Sequence, residues 1–257
     1  MNIAIEFIKY RFRAKRRHGV HSPYVYRLQD ESFRFNFSND FSQRFKKLEK
    51  SLLKNNTVLK ITPYGAGSKK GNSSTERLKT IAKRARTTPS YGKLLFQLGE
   101  HIKAKQVLEL GTNLGLGTAY LSQISTLEQV TSIEGCKNLH TKAKENLKTL
   151  KVEDKCTLHC APFSQYLDGD NQRYDLVFID GDHRSEALFE LLEKLQKNLH
   201  NESLIVIDDI RWSEDMFDAW QQIIKKNDYH LSIDFFRMGV VALRKNQEKE
   251  HFILKKK

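Results

Sequence analysis

The residues best suited to chemistry follow two apolar segments of the chain. The run "VFIDGDHRSE" leads into Asp180 and His183, and the run "IVIDDIRW" leads into Asp208 and Asp209. If both runs are strands of one parallel sheet, their carboxyl ends lie at the same edge and the three carboxylates converge there. Carboxylates so placed disfavour each other's ionisation unless a cation joins them. A hard divalent ion such as Mg²⁺ is the cation expected at this edge.

A geometric condition applies to this metal site. Successive residues of a strand point to opposite faces, so Asp208 and Asp209 share one ion only if the chain has left the strand there. A plainer interpretation treats the carboxylates as polar groups at strand ends. In the same way, Asp182 would cap a helix that begins near His183, which would then be a solvent-facing residue of the first turn.

If a molecule bound at this edge reacts through a hydroxyl, the energetics favour a cation bonded to the hydroxyl oxygen. A phenol-like hydroxyl has a pKa near 10, about three units too weak an acid for pH 7, which corresponds to roughly 4 kcal/mol. A divalent ion bound to that oxygen supplies several kcal/mol. His183 is the side chain expected to accept the proton.

From Gln106 onward, short apolar segments alternate with amphipathic ones. The predicted strands are "QVLEL" (106–110), "QVTSIE" (129–134), "CTLH" (156–159), "YDLVFI" (174–179) and "SLIVID" (203–208). The leucine stripe of residues 183–199 predicts one of the intervening helices. This alternation predicts an α/β fold, a parallel sheet with helices on both faces. The later runs "HLSIDFF" and "GVVALRK" are expected to pair as an antiparallel hairpin at a sheet edge.

The turn after the first predicted strand is rich in glycine. Gly111, Gly115 and Gly117 lie there, and glycine permits a positive φ or a close approach to a ligand. Glu134 ends the second strand, 23 residues after Gly111, where a carboxylate can accept the hydroxyls of a ribose. The spacing is Gly-x-x-x-Gly-x-Gly, unlike the Gly-x-Gly-x-x-Gly of a pyrophosphate site. A nucleoside without phosphates therefore fits better.

These residues resemble a known cofactor site. "VLELGTNLGLGTAYLS" followed by "SIEGCKN" is similar to the first two motifs of class I S-adenosylmethionine-dependent methyltransferases. The resemblance covers about residues 90–244. It implies a Rossmann-like, seven-stranded sheet, mostly parallel, with an antiparallel last strand. The cofactor-binding residues that it implies are Glu109, Gly111, Thr112, Asn113, Gly115, Gly117, Thr118, Glu134, Gly135, Ala161, Pro162, Phe163 and Asp180.

The carboxylates resemble a narrower group, the metal-dependent O-methyltransferases of the catechol and caffeoyl-CoA type. Those enzymes place one Asp after the fourth strand and an Asp-Asn pair after the fifth. The resemblance implies that Asp180, Asp208 and Asp209 hold the metal and that Asp180 and His183 are catalytic. Asp209 stands where those enzymes carry Asn, and His183 where the catechol enzyme carries its general-base lysine. The Asp-Gly-Asp-His form is closer to a group that resembles cephalosporin hydroxylase proteins.

The basic excess of the chain lies in its first hundred residues. They contain 22 Lys and Arg against 7 Asp and Glu, and the remaining residues contain 22 against 24. Residues 1–75 are therefore predicted to form a basic, mainly helical N-terminal extension that ends in a Gly/Ser loop. Residues 76–257 are predicted to form the cofactor-binding domain. The basic segment is interpreted as a solvated face, or as a surface for RNA, an acidic small substrate, a membrane or a protein partner.

The composition narrows the function class. No apolar run approaches the roughly 18 residues of a spanning helix, and three cysteines without a Cys-x-x-Cys pair indicate neither a disulfide framework nor a zinc site. The sequence predicts a cytoplasmic methyltransferase that acts on a small-molecule hydroxyl with a divalent metal, and it leaves a homodimer open. The alternatives are an RNA methyltransferase, a non-methylating oxygenase-like or binding protein, and an NAD-dependent Rossmann enzyme.

Overall fold

A large mixed sheet organises the chain. This computed structural model describes residues 1–16, 19–30, 32–62, 74–85 and 89–256. The strands are β1 Val58–Ile61, β2 Ser74–Arg77, β3 Gln106–Leu110, β4 Gln129–Glu134, β5 Cys156–Cys160, β6 Leu176–Ile179, β7 Leu204–Ile207, β8 Leu231–Asp234, β9 Gly239–Ala242 and β10 Glu250–Ile253. The helices are α1 Ile3–Arg13, α2 Pro23–Asp30, α3 Asn39–Lys54, α4 Leu78–Arg84, α5 Pro89–Ile102, α6 Leu116–Leu121, α7 Lys137–Leu150, α8 Phe163–Gly169, α9 Ser185–Leu195 and α10 Glu214–Lys225.

The order of the large sheet is β10-β8-β9-β7-β6-β3-β4-β5, and β9 runs antiparallel to both of its neighbours. The predicted α/β class, the parallel strands and the β8–β9 hairpin are confirmed. Among the described residues the sheet has an eighth strand, β10, beyond the seven that the resemblance implies, and it covers the hairpin that was expected at the edge. β10 pairs in parallel with β8, so the hairpin is not at the edge.

Strand side chains alternate between two apolar layers, as the period of two requires. In β3, Val107 belongs to a core with α2 and α5, whereas Leu108 belongs to a core with α8, α9 and α10. Both residues are fully buried. Helices thus cover both faces of the sheet, as predicted, and the carboxyl ends of the parallel strands remain at one edge for a ligand.

The N-terminal segment packs on the rest of the chain. Phe41 and Phe45 of α3 are buried, and the Phe45 ring lies 4.5 Å from that of Tyr120 in α6. The β1–β2 ribbon reaches the end of β4, where the Asn138 amide donates to the carbonyl of Lys60 at 2.7 Å. The boundary predicted between residues 75 and 76 falls inside β2. The glycines and lysines of the predicted Gly/Ser loop lie outside the described residues.

The predicted start of the helix near His183 is displaced. α9 begins at Ser185, and its first amide and hydroxyl bond the carboxylate of Asp215 at 2.8 and 2.7 Å. Asp182 therefore does not cap this helix; it pairs with Arg184 at 2.6 Å. Within the described residues, no helix has the length and apolar character to cross a bilayer.

Candidate active site

The turn between β3 and α6 is built on a close backbone approach. Gly111 has a φ of +114°, and a Cβ added there would lie 2.1 Å from the carbonyl oxygen of Asp180. Its amide donates to the carbonyl of Ile133 at 3.0 Å. Gly115 also has a positive φ, of +76°, where the chain enters α6. Only glycine meets both demands at Gly111, so the strand ends of β3 and β6 are held in contact.

Glu134 closes the other side of this turn. Its two carboxylate oxygens accept from the backbone amides of Asn113 and Cys136, each at 2.8 Å. Each oxygen retains a lone pair for a ribose hydroxyl, and the side chain is only 9% exposed. Burial raises the pKa of Glu134, against the effect of the two amides. The Oδ1 atom of Asn113 is buried and has no partner among the described residues, as expected of a site that a polar ligand completes.

Glu109 lies beneath the turn rather than in it. The carboxylate is fully buried and accepts from the hydroxyls of Thr118 and Ser132, and Ser132 in turn bonds the Thr112 hydroxyl at 2.6 Å. Burial raises the pKa of Glu109 to about 7. Its Oε1 atom has no partner among the described residues and lies against Gly117, where an added Cβ would be 2.5 Å away.

The remaining predicted cofactor residues border the same cleft. Gly135 follows β4, and the Ala161 amide donates to the carbonyl of Glu134 at 3.2 Å. Pro162 precedes α8. The Phe163 ring lies against Gly181, where an added Cβ would be 2.8 Å from the ring. The predicted cofactor-binding residues Ala161 to Phe163 therefore lie beside Glu134, which is predicted to hold the ribose.

The predicted carboxylates lie at the ends of adjacent strands. β6 ends at Ile179 and β7 at Ile207, so Asp180 and Asp208 each follow a strand directly. Asp209 has a φ of +51° and has left the strand. The geometric condition for Asp208 and Asp209 to share one cation is thus met.

The cation that joins them is an arginine. Arg237, in the turn between β8 and β9, donates to both oxygens of Asp208, from Nε at 2.9 Å and from a terminal nitrogen at 2.6 Å. Its Nε atom also lies 3.0 Å from Oδ1 of Asp209. The Asp208 side chain has no exposed surface, so this is a buried, bidentate ion pair.

These contacts test whether a divalent ion fits. Both oxygens of Asp208 face Arg237, and Oδ1 also accepts the Asp209 amide at 2.8 Å. Throughout the described ranges, no three acidic, His or Cys side chains are arranged to hold a metal. The residues present do not fit the divalent ion that the resemblance implies, because the guanidinium takes its position between the carboxylates.

One guanidinium does not balance three carboxylates. Burial and the neighbouring Asp208 carboxylate raise the pKa of Asp180 well above its ordinary value, against the effect of Arg237. Burial and Asp208 also raise the pKa of Asp209, which Arg237 and His183 oppose. Burial and the neighbouring carboxylates therefore both oppose ionisation of Asp180.

His183 stands at the outer rim of this cluster. Its Nε2 atom lies 3.8 Å from Oδ2 of Asp209, longer than a hydrogen bond. Its ring centroid is 5.6 Å from that of Trp212, which is 61% exposed. Trp212 thus lies on the surface and not in the core, and the two rings form an accessible wall beside the carboxylates.

Sequence reasoning missed three residues of this edge. The Tyr91 hydroxyl donates to the carbonyl of Phe235 at 3.0 Å and accepts from the Arg237 amide at 3.3 Å. The ammonium of Lys256 lies 3.1 Å from the Tyr91 ring centroid, and burial and Arg237 lower the pKa of Lys256 to about 8. For Arg237 the predicted hairpin indicated that its turn lies at the carboxyl edge, but not which side chain Arg237 would contact.

Comparisons with known proteins agree with the fold described above. Residues 108–210 match the family model of a methyltransferase domain. No curated protein sequence matches the chain. The solved structures it resembles include an O-methyltransferase from Bacillus cereus in complex with S-adenosylhomocysteine, which is 20% identical with a TM-score of 0.52 and covers 65% of this chain and 87% of its own.

Two further solved structures have the same fold. A provisionally named caffeoyl-CoA O-methyltransferase from Staphylococcus aureus is 20% identical, with a TM-score of 0.56 over 65% of this chain and 90% of the other. A Podospora anserina methyltransferase bound to S-adenosylhomocysteine is 13% identical, with a TM-score of 0.55, and the match covers 87% of this chain and 97% of the other. The resemblance predicted from the glycine turn and Glu134 is therefore confirmed: residues 108–210 match the model of a methyltransferase domain, and the chain has the fold of these S-adenosylmethionine-dependent methyltransferase structures.

Proposed function

We propose that this chain transfers the methyl group of S-adenosylmethionine to a hydroxyl of a small molecule. The supporting observation is the contact between the nucleoside turn and the carboxylate edge. Gly111 lies directly against the carbonyl of Asp180, so a donor on the glycine turn and an acceptor at the carboxylates are neighbours. Proximity and alignment of the two reactants are the main contributions of a protein to such a transfer.

The residues of the glycine turn fit the cofactor. Glu134 would accept the ribose hydroxyls, Gly111 and Gly115 would lie under the methionine part, and Phe163 would border the adenine. When bound, S-adenosylmethionine supplies an electrophilic methyl group on a sulfonium. Glu134 is already fixed by the Asn113 and Cys136 amides, so it needs little rearrangement to hold the ribose.

The acceptor side would be formed by His183, Trp212 and the carboxylates. Trp212 offers an exposed aromatic face on which a ring can stack. His183 is placed to accept the proton of the acceptor hydroxyl, and Asp209, 3.8 Å away, stabilises the imidazolium that results. Asp180, which lies against the glycine turn, would orient the acceptor oxygen.

Arg237 supplies the positive charge of this edge in our proposal. One guanidinium lies against the carboxylates of Asp208 and Asp209, and a divalent metal does not fit while both oxygens of Asp208 are bonded to that guanidinium. No step in the proposed transfer passes through a metal. Arg237 acts as a positioning residue, because it touches the carboxylates and not the acceptor.

The proposal is tested by detecting S-adenosylhomocysteine by mass spectrometry after incubation with S-adenosylmethionine and a panel of hydroxylated aromatic compounds. His183→Ala should lower kcat by about 10²- to 10⁴-fold, the usual contribution of a general base. His200→Ala is the matched control, because His200 is similarly exposed but pairs with Asp175 at the opposite edge of the sheet. Equal turnover by wild type and His183→Ala would remove the assigned base, and no product with any hydroxyl acceptor would remove the reaction.

A further inference from the structure

Helix α1 is fixed on the domain through one of its faces. Tyr10 is buried, its hydroxyl donates to the carbonyl of Leu254, and its ring lies 5.2 Å from that of Phe236. Beyond the helix, the Lys15 amide donates to the carbonyl of Ile253 at 2.8 Å, which continues the edge of β10. These contacts hold the helix against the domain. The opposite face of α1 therefore points away from the domain.

That other face is apolar and open to solvent. Ile5 is 50% exposed, Ile8 55% and Phe12 88%. Spacings of three and four residues place these side chains in one stripe along the helix. Six of the ten large apolar side chains that are exposed in the described part of the chain belong to residues 1–12. Scattered apolar residues need no explanation, but a continuous stripe of this kind marks an interaction surface.

Cations flank the apolar stripe on both sides. By helical geometry Lys9 lies on one side of it and Arg11 on the other, and both are exposed. Arg13, Lys15 and Arg16 extend the exposed basic surface. Within the described ranges, no ion pair involves the four residues from Arg11 to Arg16 that carry these charges. The basic charge of this surface is therefore available to an anionic partner.

We propose that α1 docks on an anionic membrane surface, with the helix in the plane of the headgroups. A helix with an outward apolar stripe and basic flanks inserts the stripe into the interface and leaves its cations among the lipid phosphates. A nucleic acid would satisfy the cations but not Ile5 and Ile8, which cannot stack on bases. This docking does not depend on the proposed methyl transfer.

The surface lies at the same end of the molecule as the candidate active site. The Phe7 ring of α1 is 5.0 Å from that of Phe236, the residue before Arg237. A docked α1 would therefore hold the carboxyl edge of the sheet close to the bilayer.

Co-sedimentation of the full chain with lipid vesicles tests this proposal. Wild type should bind vesicles of mixed phosphatidylcholine and phosphatidylglycerol and should bind pure phosphatidylcholine much less. Phe12→Ser should weaken binding about tenfold or more, the factor that corresponds to burial of one phenylalanine side chain. Arg11→Gln should weaken it about fivefold, the factor that corresponds to one basic residue at an anionic surface.

Val58→Ser is the control, because Val58 is 57% exposed on β1, away from α1. It should bind as wild type does. Since Phe12 is 88% exposed, Phe12→Ser should leave the circular dichroism and Tm unchanged. The proposal is overturned if wild type does not bind anionic vesicles, or if Val58→Ser weakens vesicle binding as much as Phe12→Ser does. It is also overturned if single-stranded RNA binds through Arg11 while vesicles do not bind.

Discussion

At the scale of single residues, the distinctive feature is the cation at the carboxylate edge. Asp180, Asp208 and Asp209 lie where a divalent ion was predicted, but Arg237 bonds Asp208 through two nitrogens and reaches Asp209. A guanidinium matches a carboxylate bidentately and stays charged at any relevant pH. The edge therefore carries a permanent positive charge that belongs to the chain itself.

Arg237→Ala is expected to destabilise the fold by about 3 kcal/mol, because it leaves a buried carboxylate without its partner. Urea unfolding measures the change. Arg84→Ala is the matched control, since Arg84 pairs with Glu76 on the surface, where its side chain is 56% exposed. The free energy of unfolding of Arg84→Ala should fall by at most about 1 kcal/mol. Equal losses in the two variants would contradict the importance of the Asp208 pair.

The same variant tests the metal question. Without Arg237, the carboxylates of Asp208 and Asp209 lose the cation that joins them, so Mg²⁺ or Mn²⁺ should raise the Tm of Arg237→Ala. Wild type should show no such rise, and Arg237→Ala combined with Asp208→Asn should lose it. A wild-type Tm that rises with Mn²⁺ as much as that of the variant would mean that Arg237 does not exclude the ion.

Glu109 should make stability depend on pH. Its pKa is raised from 4.5 to about 7 in the folded chain, so the folded state holds a proton that the unfolded state releases. The stabilising contribution is complete below the unfolded pKa and is lost as pH rises through the folded pKa. The expected loss is at most about 1.4 kcal/mol per pH unit. Urea unfolding between these two pKa values should show a flatter pH dependence for Glu109→Gln; an unchanged dependence would contradict the assignment.

The sequence indicated which carboxylates meet but not what joins them. Asp180 and Asp208 could be predicted to converge because each directly follows a strand of one parallel sheet. Arg237 is 29 residues from Asp208, and its contact depends on how the β8–β9 turn bends back, which local patterns do not specify. The negative charge of Asp209, in place of a neutral Asn, already predicted a cation at this edge. The prediction considered a metal ion and not a basic side chain of the same chain.

At the scale of secondary-structure elements, the β3–α6 turn is the most constrained. Gly111→Ala would place a Cβ 2.1 Å from the Asp180 carbonyl, at a φ of +114°, so the two strand ends must separate. We expect the free energy of unfolding, measured in urea, to fall by at least about 3 kcal/mol, because the steric clash and the strained backbone act together.

Gly169→Ala is the control for this substitution. An added Cβ at Gly169 has nothing within 4 Å, and the residue lies at the end of α8. It should be neutral or stabilising by up to about 1 kcal/mol. Gly111→Ala as stable as Gly169→Ala would contradict the close approach of β3 and β6.

Elements with strong periodicity were predictable and those set by tertiary contacts were not. The five predicted strands from β3 to β7 begin and end within two residues of the observed ones. β10 was missed because it is short, begins with Glu250 and His251, and gains its place only by pairing with β8. The start of α9 was misplaced because its cap, Asp215, comes from the beginning of α10.

At the scale of the whole molecule, the N-terminal segment shares its core with the rest of the chain. Phe45→Ala should lower the free energy of unfolding by about 3–5 kcal/mol, because the ring is buried against Tyr120. Calorimetry should show one transition that moves as a unit. Phe35→Ala, at a ring that is 41% exposed, should change little. A separate low-temperature transition in Phe45→Ala would show that residues 1–75 unfold independently.

The central claim is that the glycine turn and Glu134 form a site for S-adenosylmethionine. Calorimetric titration of the full chain tests it most directly, with S-adenosylmethionine and NAD as the two ligands and Glu128→Gln as the control for Glu134→Gln. Glu128 is an exposed carboxylate at the opposite end of β4, paired with Lys105 at 3.1 Å. We predict saturable binding of S-adenosylmethionine by wild type and by Glu128→Gln, and binding at least about tenfold weaker in Glu134→Gln, which loses a charged hydrogen-bond acceptor. Tight binding of NAD without binding of S-adenosylmethionine would contradict the account.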